Sequence, residues 1–576
     1  MTDTQKNNRS KNEHIKEASR HLRGTIAEGL ADVATGAISE DDTQLVKFHG
    51  TYMQDDRDLR PERAKKKLEK AYSFMIRVRV PGGRVTAEQW RAMDEIASTY
   101  ANGTLRLTTR QAFQFHGVIK SNLKRTMQAI NRSLLDTLAA CGDVNRNVMS
   151  AANPHLSDVH MAAYELAGAI SSHLLPRTGA YHEIWLDGEK VETKNGMAAP
   201  DEEPIYGRHY LPRKFKTVVA VPPDNDVDVF AQDLGFIAVI ESGGLAGWNV
   251  TVGGGMGMTH GEPDTFPRTA DVLGFCTPEQ AVEVAEKVVT VQRDWGNREN
   301  RKRARLKYTI EDRGLEVFRA EVEARLGYGL GAPRPFTFTR TGDAVGWRKG
   351  ADKRWHLTLY IENGRIKDVP GATLKSALRE IAETQKIEFI LTSNQNLILA
   401  RASARAKAAI DAILAQHGVS PSTLSGLRSN AMACVALPTC SLALAESERY
   451  LPQLVTRLEE CLERVGLRDD EIVIRMTGCP NGCARPYLAE IGLVGRGPAT
   501  YNLYLGAAFD GTRLNKLYAQ DVQEEQIVAL LAPLFGRYAA ERGDGERFGD
   551  YLVRAGIVAP TLAGRDFHDE VALATL

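Results

Sequence analysis

The chain has 576 residues, 43 % of them hydrophobic, with 73 Lys plus Arg against 73 Asp plus Glu. It is too long for one core and implies three or four folding units at ~100–200 residues each. The balanced charge excludes a general field for nucleic acid, no apolar run approaches the ~18 residues of a membrane helix, and seven cysteines are too few and too uneven for a secreted disulfide scaffold.

Residues 1–25 are polar and charged, with no apolar signal-type stretch, so a cytoplasmic protein with reduced thiols is expected. Residues 1 to about 50 form a charged arm, either a docking element for a partner or a tail with none. Residues 60–70 carry six cations with Glu62 and Glu69 interleaved, which reads as an exposed helix without chemistry. Residues 74–84 (FMIRVRVPGGR) alternate like a strand, turn at glycine and lead into a helix pattern; their period of two puts Arg77 and Arg79 on one face. Arg106, Thr108 and Arg110 share a face in the same way, and Arg146 adds a cation within Asn145-Arg146-Asn147. Lys214 and Lys216, preceded by Arg213, open a run that is otherwise apolar as far as Pro222. Each pair alone suits a solvent-facing strand; together, cations on interior strands call for an anionic ligand.

Residues 252–257 (VGGGMG) fail the G-x-G-x-x-G dinucleotide pattern because position 258 is Met, and no convincing helix follows, so NADPH binding by this chain is not expected. Residues 298–307 hold the densest basic run: Arg298, Arg301, Lys302, Arg303, Arg305 and Lys307. Its usual meaning is a solvated helix face.

The chain repeats itself. LTTRQAF at 107–113 corresponds to LTSNQNL at 391–397, an offset of 284, and 74–84 corresponds to 357–365 (LTLYIENGR) at a similar offset. Further on, 147–150 matches 430–433, and WNVTVG at 248–253 matches YNLYLG at 501–506. Matches in the same order with so long a period indicate duplication, and pseudo-twofold halves commonly bind one ligand between them.

Four cysteines fall as Cys434-x5-Cys440 and Cys479-x3-Cys483, with Pro438, Pro480, Asn481 and Gly482 supplying turns that let thiolates converge. An iron-sulfur cluster fits this spacing best. A structural zinc usually takes C-x2-4-C knuckles, and inert core thiols are the remaining alternative. Cys461 is of that last kind, on one helical stripe with Leu454, Leu458 and Val465.

Residues 107–117 (LTTRQAFQFHG), 145–147, 211–216 (LPRKFK) and the two cysteine pairs together resemble the siroheme-containing sulfite and nitrite reductases over nearly the whole chain. The resemblance implies a [4Fe-4S] cluster on Cys434, Cys440, Cys479 and Cys483, with Cys483 also the axial thiolate of siroheme. It implies a cage of Arg77, Arg146, Lys214 and Lys216 around the substrate oxyanion. Siroheme carries many carboxylates, for which Arg106, Arg110, His116 and the 298–307 run are the candidates, a hydrogen-bonded structural role remaining open for His116 and His260. The implied activity is six-electron reduction of sulfite to sulfide in cysteine biosynthesis, with nitrite reduction to ammonia as the alternative; Lys216, where nitrite reductases tend to carry Asn, favours sulfite. Electrons would come from NADPH through a separate flavoprotein bearing FAD and FMN, with no nucleic-acid or membrane partner.

The expected fold is mixed α/β, in three parts with a pseudo-twofold duplication. An arm (1–70) precedes a central unit made of 71–150 with 345–428, and α/β modules at 151–344 and 429–576 clasp the cofactors. Residues 194–200 (KNGMAAP) form a short insertion in the family pattern.

Overall fold

The computed structural model describes residues 8–177, 203–420 and 424–569, and between them the short strands Trp185–Leu186 and Glu189–Lys190. The 194–200 insertion lies outside the described residues.

Two five-stranded antiparallel sheets form the centre, and each borrows a strand from the other half. In the first, Thr51–Asp55, Tyr72–Val78, Phe113–Val118 and Leu105–Leu107 are completed by Arg365–Ile366. In the second, Gly346–Lys349, Trp355–Leu359, Leu397–Ala402 and Glu388–Leu391 are completed by Arg84–Thr86. The exchanged strands are corresponding elements of the repeat. Each follows a glycine turn (PGG at 81–83, ENG at 362–364) that holds positive φ at Gly82, Gly83, Asn363 and Gly364, where L side chains are strained.

The helices behind these sheets bury apolar faces at helical spacing. Ala87–Tyr100 begins at a capping box between Thr86 and Gln89 and buries Trp90, Met93, Ile96 and Ala97; Leu374–Thr384 packs against it with Ala377, Leu378, Ile381 and Ala382. Trp90 stacks on Phe389 at 4.6 Å and meets Phe113 edge-on at 5.7 Å, so one ring joins both halves into a single core.

Two flanking modules repeat one topology. Met149–Ser150, Thr217–Ala220 and Leu234–Glu241 run parallel, followed antiparallel by Gly244–Val252 and Asp271–Cys276. Ala431–Ala433, Ile474–Thr477, Ile491–Gly497, Thr500–Leu505 and Lys516–Val522 reproduce that order and polarity. A small apolar cluster of Met256, Met258, Phe266 and Tyr308 with Tyr487, Tyr504 and Phe567 seals one module against the other. Cys461 is buried in the core of the second, as its stripe implies.

Three expectations change. The arm is not a free tail from residue 8 onward: helix Lys11–Ala18 buries Glu13 and Lys16, and Ile15, Leu22, Leu45 and Phe48 join the first module's core. The 298–307 run is not a solvated helix face but a short turn, Arg301–Arg303, leading into Leu306–Arg313. Arg77 and Arg79 share a strand face but not a destination, because Arg79 pairs with Asp136 at 2.6 Å.

Candidate functional site

The segment carrying Arg146 runs beside the one carrying the lysines. Asn145 bridges Phe215 in parallel, Arg146 N donates to Phe215 O (3.0 Å), and Phe215 N donates to Val144 O (3.0 Å). Because Phe215 points into the core, Lys214 and Lys216 on either side point away from it. The flanking asparagines fix the Arg146 loop: Thr217 Oγ1 donates to Asn145 Oδ1 (2.8 Å), and Asn147 Nδ2 donates to the carbonyls of Val80, Arg110 and Gln111 (2.9, 2.8 and 3.1 Å) while its Oδ1 accepts from Val80 N (3.0 Å).

Arg77 and Arg146 meet no carboxylate among the described residues. Arg77 Nη1 lies 3.1 Å from Cys141 Sγ, and its Nε is buried without a partner. Arg146 donates to the Gly142 carbonyl and contacts the Tyr52 hydroxyl, which also hydrogen-bonds the Cys141 thiol. Tyr52 and Cys141, neither singled out by sequence, thus bridge the two guanidiniums.

Burial pushes Lys214 down to about 7, helped by Arg213, Arg146 and Arg305 and opposed by Cys483; burial, then Lys214 and Arg110, push Lys216 well below the usual lysine range. Both side chains are half-buried, and Arg213, Arg146, Arg110 and Arg305 crowd them with like charge. Lys47, half-buried beside Tyr52, is a further cation there that sequence reasoning missed; burial lowers it to about 8.

The cysteines arrive from the other module. Strand Ile474–Thr477 delivers Cys479 and Cys483, and Gly478 is obligatory because a Cβ there would lie 2.6 Å from Ala436 Cβ and the Ala445 carbonyl. Its N–H points at Cys434 Sγ (3.4 Å), and its carbonyl accepts from Leu444 and Ala445. Burial raises Cys434, Cys440 and Cys479 to about 12, and for each Cys483 adds to the rise. The four thiols therefore lie within electrostatic reach of one another, although the described residues include no group of three or more His, Cys, Asp or Glu able to hold a single ion.

The two sides meet. Thr109 Oγ1 donates to the Cys483 carbonyl (3.1 Å), Arg485 Nη1 donates to the Thr109 carbonyl (3.0 Å), and Arg475 and Arg485 share the buried carboxylate of Asp228. The glycine stretch that fails as a dinucleotide loop packs here: Met258 N donates to Pro480 O (2.9 Å), and a Cβ on Gly257 would come within 3.1 Å of the Asn481 carbonyl.

The other candidates divide. Arg110 donates to Gln232 Oε1 and the Asn147 carbonyl and keeps a buried, unpartnered Nε; His116, 1 % exposed, has no protein partner at either ring nitrogen among the described residues. Both fit a missing polar group. Arg106 differs: it pairs with Glu448 (2.9 Å) and donates to the Ala433 carbonyl (3.0 Å), beside Cys434. The basic run is likewise engaged, Arg298 with Glu13, Arg301 with Asp143, Lys302 with Glu262, Arg303 with Asp312, Arg305 with Asp233, and Lys307 with three backbone carbonyls. These seven cations are spent on protein groups, so the structure does not present them to an anion. His260 hydrogen-bonds Arg496 (3.1 Å).

Such a site, basic on one wall and cysteine-lined on the other, between duplicated halves, defines a redox protein of the nitrite and sulphite reductase class. Residues 166–329 match the nitrite and sulphite reductase 4Fe-4S domain, and 66–133 match the nitrite/sulfite reductase ferredoxin-like half domain. The first match falls on the copy without the four cysteines, a sign that both flanking modules descend from one domain. The chain is 66 % identical over 562 residues (97 % of it, 93 % of the relative) to the sulfite reductase [NADPH] hemoprotein beta-component of Methylobacterium sp. (strain 4-46). It is 59 % identical over 558 residues (97 % of each) to that of Geobacillus thermodenitrificans. The Mycobacterium tuberculosis NirA protein superposes with a TM-score of 0.74 at 25 % identity, covering 94 % of this chain and 96 % of that one. The chain belongs to the sulfite reductase hemoprotein beta-component family, whose cofactors are siroheme and a [4Fe-4S] cluster. Among the described residues no helix is long and apolar enough to cross a membrane.

Proposed function

We propose that this chain is the catalytic hemoprotein of an NADPH-dependent sulfite reductase, reducing sulfite to sulfide in the cytoplasm with electrons from a separate flavoprotein. The observation that carries the reading is that Lys214 lies within electrostatic reach of Arg146 on one side and of Cys483 on the other. Cys434, Cys440, Cys479 and Cys483 would hold the cluster, Cys483 would also serve siroheme, and Arg110 and His116, with their unpartnered nitrogens, would meet siroheme's polar groups. When bound, siroheme supplies the metal centre that takes the sulfur of sulfite, and the cluster supplies it with electrons.

The chain's own residues bind the oxyanion and move protons. Arg77 and Arg146 pair with no carboxylate among the described residues, so they orient a dianion in a site poor in water. Reduction removes three oxygens as water, so protons must be delivered repeatedly. Arginine cannot give them up near neutrality, whereas a lysine held near 7 can. Lys214 and Lys216 are therefore the donors at the substrate oxygens. An arriving anion raises both, so each is charged when substrate is present and recharges from solvent after each transfer.

The test is oxidation of reduced methyl viologen by the loaded protein, with sulfite and nitrite titrated separately and sulfide assayed. Sulfite is expected to give the higher kcat/KM with full conversion to sulfide, and Lys216→Met to lower kcat more than affinity. A clear preference for nitrite would overturn the substrate; weaker sulfite binding at unchanged turnover in Lys216→Met would overturn the proton role.

A further inference from the structure

The basic run at 60–70, to which the sequence assigns no chemistry, stands against the cysteine loop. Arg57 N donates to Pro438 O (3.1 Å), and Arg57 Nη1 reaches the carbonyls of Cys440 (3.4 Å) and Ala443 (2.5 Å). Asp58 then pairs with Arg449 at 2.7 Å. From this anchor, helix Arg60–Lys65 and the turn after it lie on the surface. Lys66 pairs with Glu62, whereas among the described residues Lys65 and Lys67 have no carboxylate partner. Leu59, Leu68 and Leu442, all on these two segments, are 41 %, 52 % and 62 % exposed. Exposed leucines rimmed by unpaired cations have the composition of a transient protein interface, in which charge steers the encounter and a small apolar centre seats it.

We propose that residues 57–70 and the 438–443 loop form the docking surface for an acidic, flavin-carrying electron-donor domain. The inference rests on the reading that the cluster takes its electrons from a partner protein. NADPH gives up a hydride, an electron pair with a proton, whereas an iron-sulfur cluster accepts electrons singly. A flavin takes the pair and releases it one electron at a time, so the donor that fits between them carries flavin. The surplus of cations selects an acidic face on that donor. A domain seated here lies over the half-buried Cys440, whose carbonyl Arg57 reaches.

The test uses the cofactor-loaded protein and, as probe, photoreduced flavodoxin, a small acidic FMN protein. Lys65→Glu with Lys67→Glu reverses two unpaired surface charges and touches neither the Arg57 anchor nor the cage. Cluster reduction followed by stopped-flow absorbance should slow as salt is added to the wild type; in the double variant it should be at least ten-fold slower at low ionic strength, with a flatter salt dependence. Sulfite reduction driven by methyl viologen, which needs no docking face, should be equal in both. Equal cluster-reduction rates in both proteins, or a wild-type rate indifferent to salt, would overturn the docking surface. If flavodoxin reduces the cluster as expected but methyl viologen yields no sulfide, the proposed function fails and the docking surface stands. Should the double variant lose its viologen activity, Lys65→Gln with Lys67→Gln replaces it under the same criteria.

Discussion

A thiol and a phenol, not carboxylates, hold the two cage arginines, and that choice leaves their charge for the substrate. Had Asp or Glu stood at position 141, its negative charge would have neutralised Arg77 as Asp136 neutralises Arg79. The thiol orients without neutralising, and Tyr52 carries the same restraint to Arg146. Cys141→Ala is therefore expected to raise KM for sulfite about ten-fold, near the ~1.4 kcal/mol of one hydrogen bond to a charged group, with a smaller change in kcat, while Cys141→Ser stays near wild type. Steady-state kinetics with reduced methyl viologen decides it, and equal KM in the wild type and the alanine variant would sink the bridge. The spacing of the four cysteines and the strand period at Lys214 and Lys216 were legible in the sequence, because both are local patterns. Cys141 was not: it lies 64 residues from Arg77, and no local pattern predicts which guanidinium a lone buried thiol will meet. Arg106 shows the converse, since a strand period gives the face a cation takes but not the Glu448 that has claimed it.

At the scale of elements, the arm works as a strap. Helix Lys11–Ala18 brings Glu13, 1 % exposed, between Lys16 and Arg298, and Lys16 and Arg301 both reach Asp143, which opens the loop carrying Arg146. Burial lowers Lys16, and Asp143 and Glu13 oppose that, so the network holds together only while each charge keeps its partner. Glu13→Gln should destabilise the protein by about 3 kcal/mol, as removal of one member of a buried ion network does, and should open the arm to limited proteolysis within residues 8–25. Because the same network ends three residues from Arg146, sulfite KM should rise too; urea unfolding at the wild-type midpoint would refute the strap. Charge left this segment open between a docking element and a tail, because burial by distant partners leaves no mark on composition. The duplication, in contrast, was readable, since its glycine turns and alternating strands recur in the same order. The reciprocal strand exchange was not, for Arg84–Thr86 and Arg365–Ile366 are too short to have a period.

At the scale of the whole molecule, the first flanking module and the central strand that carries Arg77 supply cations, the second flanking module supplies thiols, and neither side is electrostatically complete without what lies between. Bringing Lys214 and Lys216 together costs stability in the cofactor-free protein, and the cost depends on pH with a definite sign. In the fold Lys214 titrates at about 7 and Lys216 and Lys307 well below the lysine reference of 10.5, each chiefly through burial. From about pH 7 upward the unfolded chain therefore binds more protons than the fold, and stability rises with pH, by up to about 1.4 kcal/mol per unit for each such lysine. Glu490, raised to about 7 by burial, works in the opposite sense only below that value, and the buried tyrosines, pushed upward, matter only near and above 10. The buried thiols Cys276, Cys434, Cys440 and Cys479, raised to about 12, oppose the lysines from about pH 8 upward, so between about pH 7 and 8 the lysines dominate. The Tm of cofactor-free protein should climb across this interval. Loading siroheme and saturating with sulfite places anions against Lys214 and Lys216, restores their charge in the fold and should flatten the slope, leaving the part due to Lys307, which is held by carbonyls. Parallel Tm profiles for the loaded and cofactor-free proteins would mean that the cage lysines do not face the anions, and the assignment of the substrate side of the site would have to be abandoned.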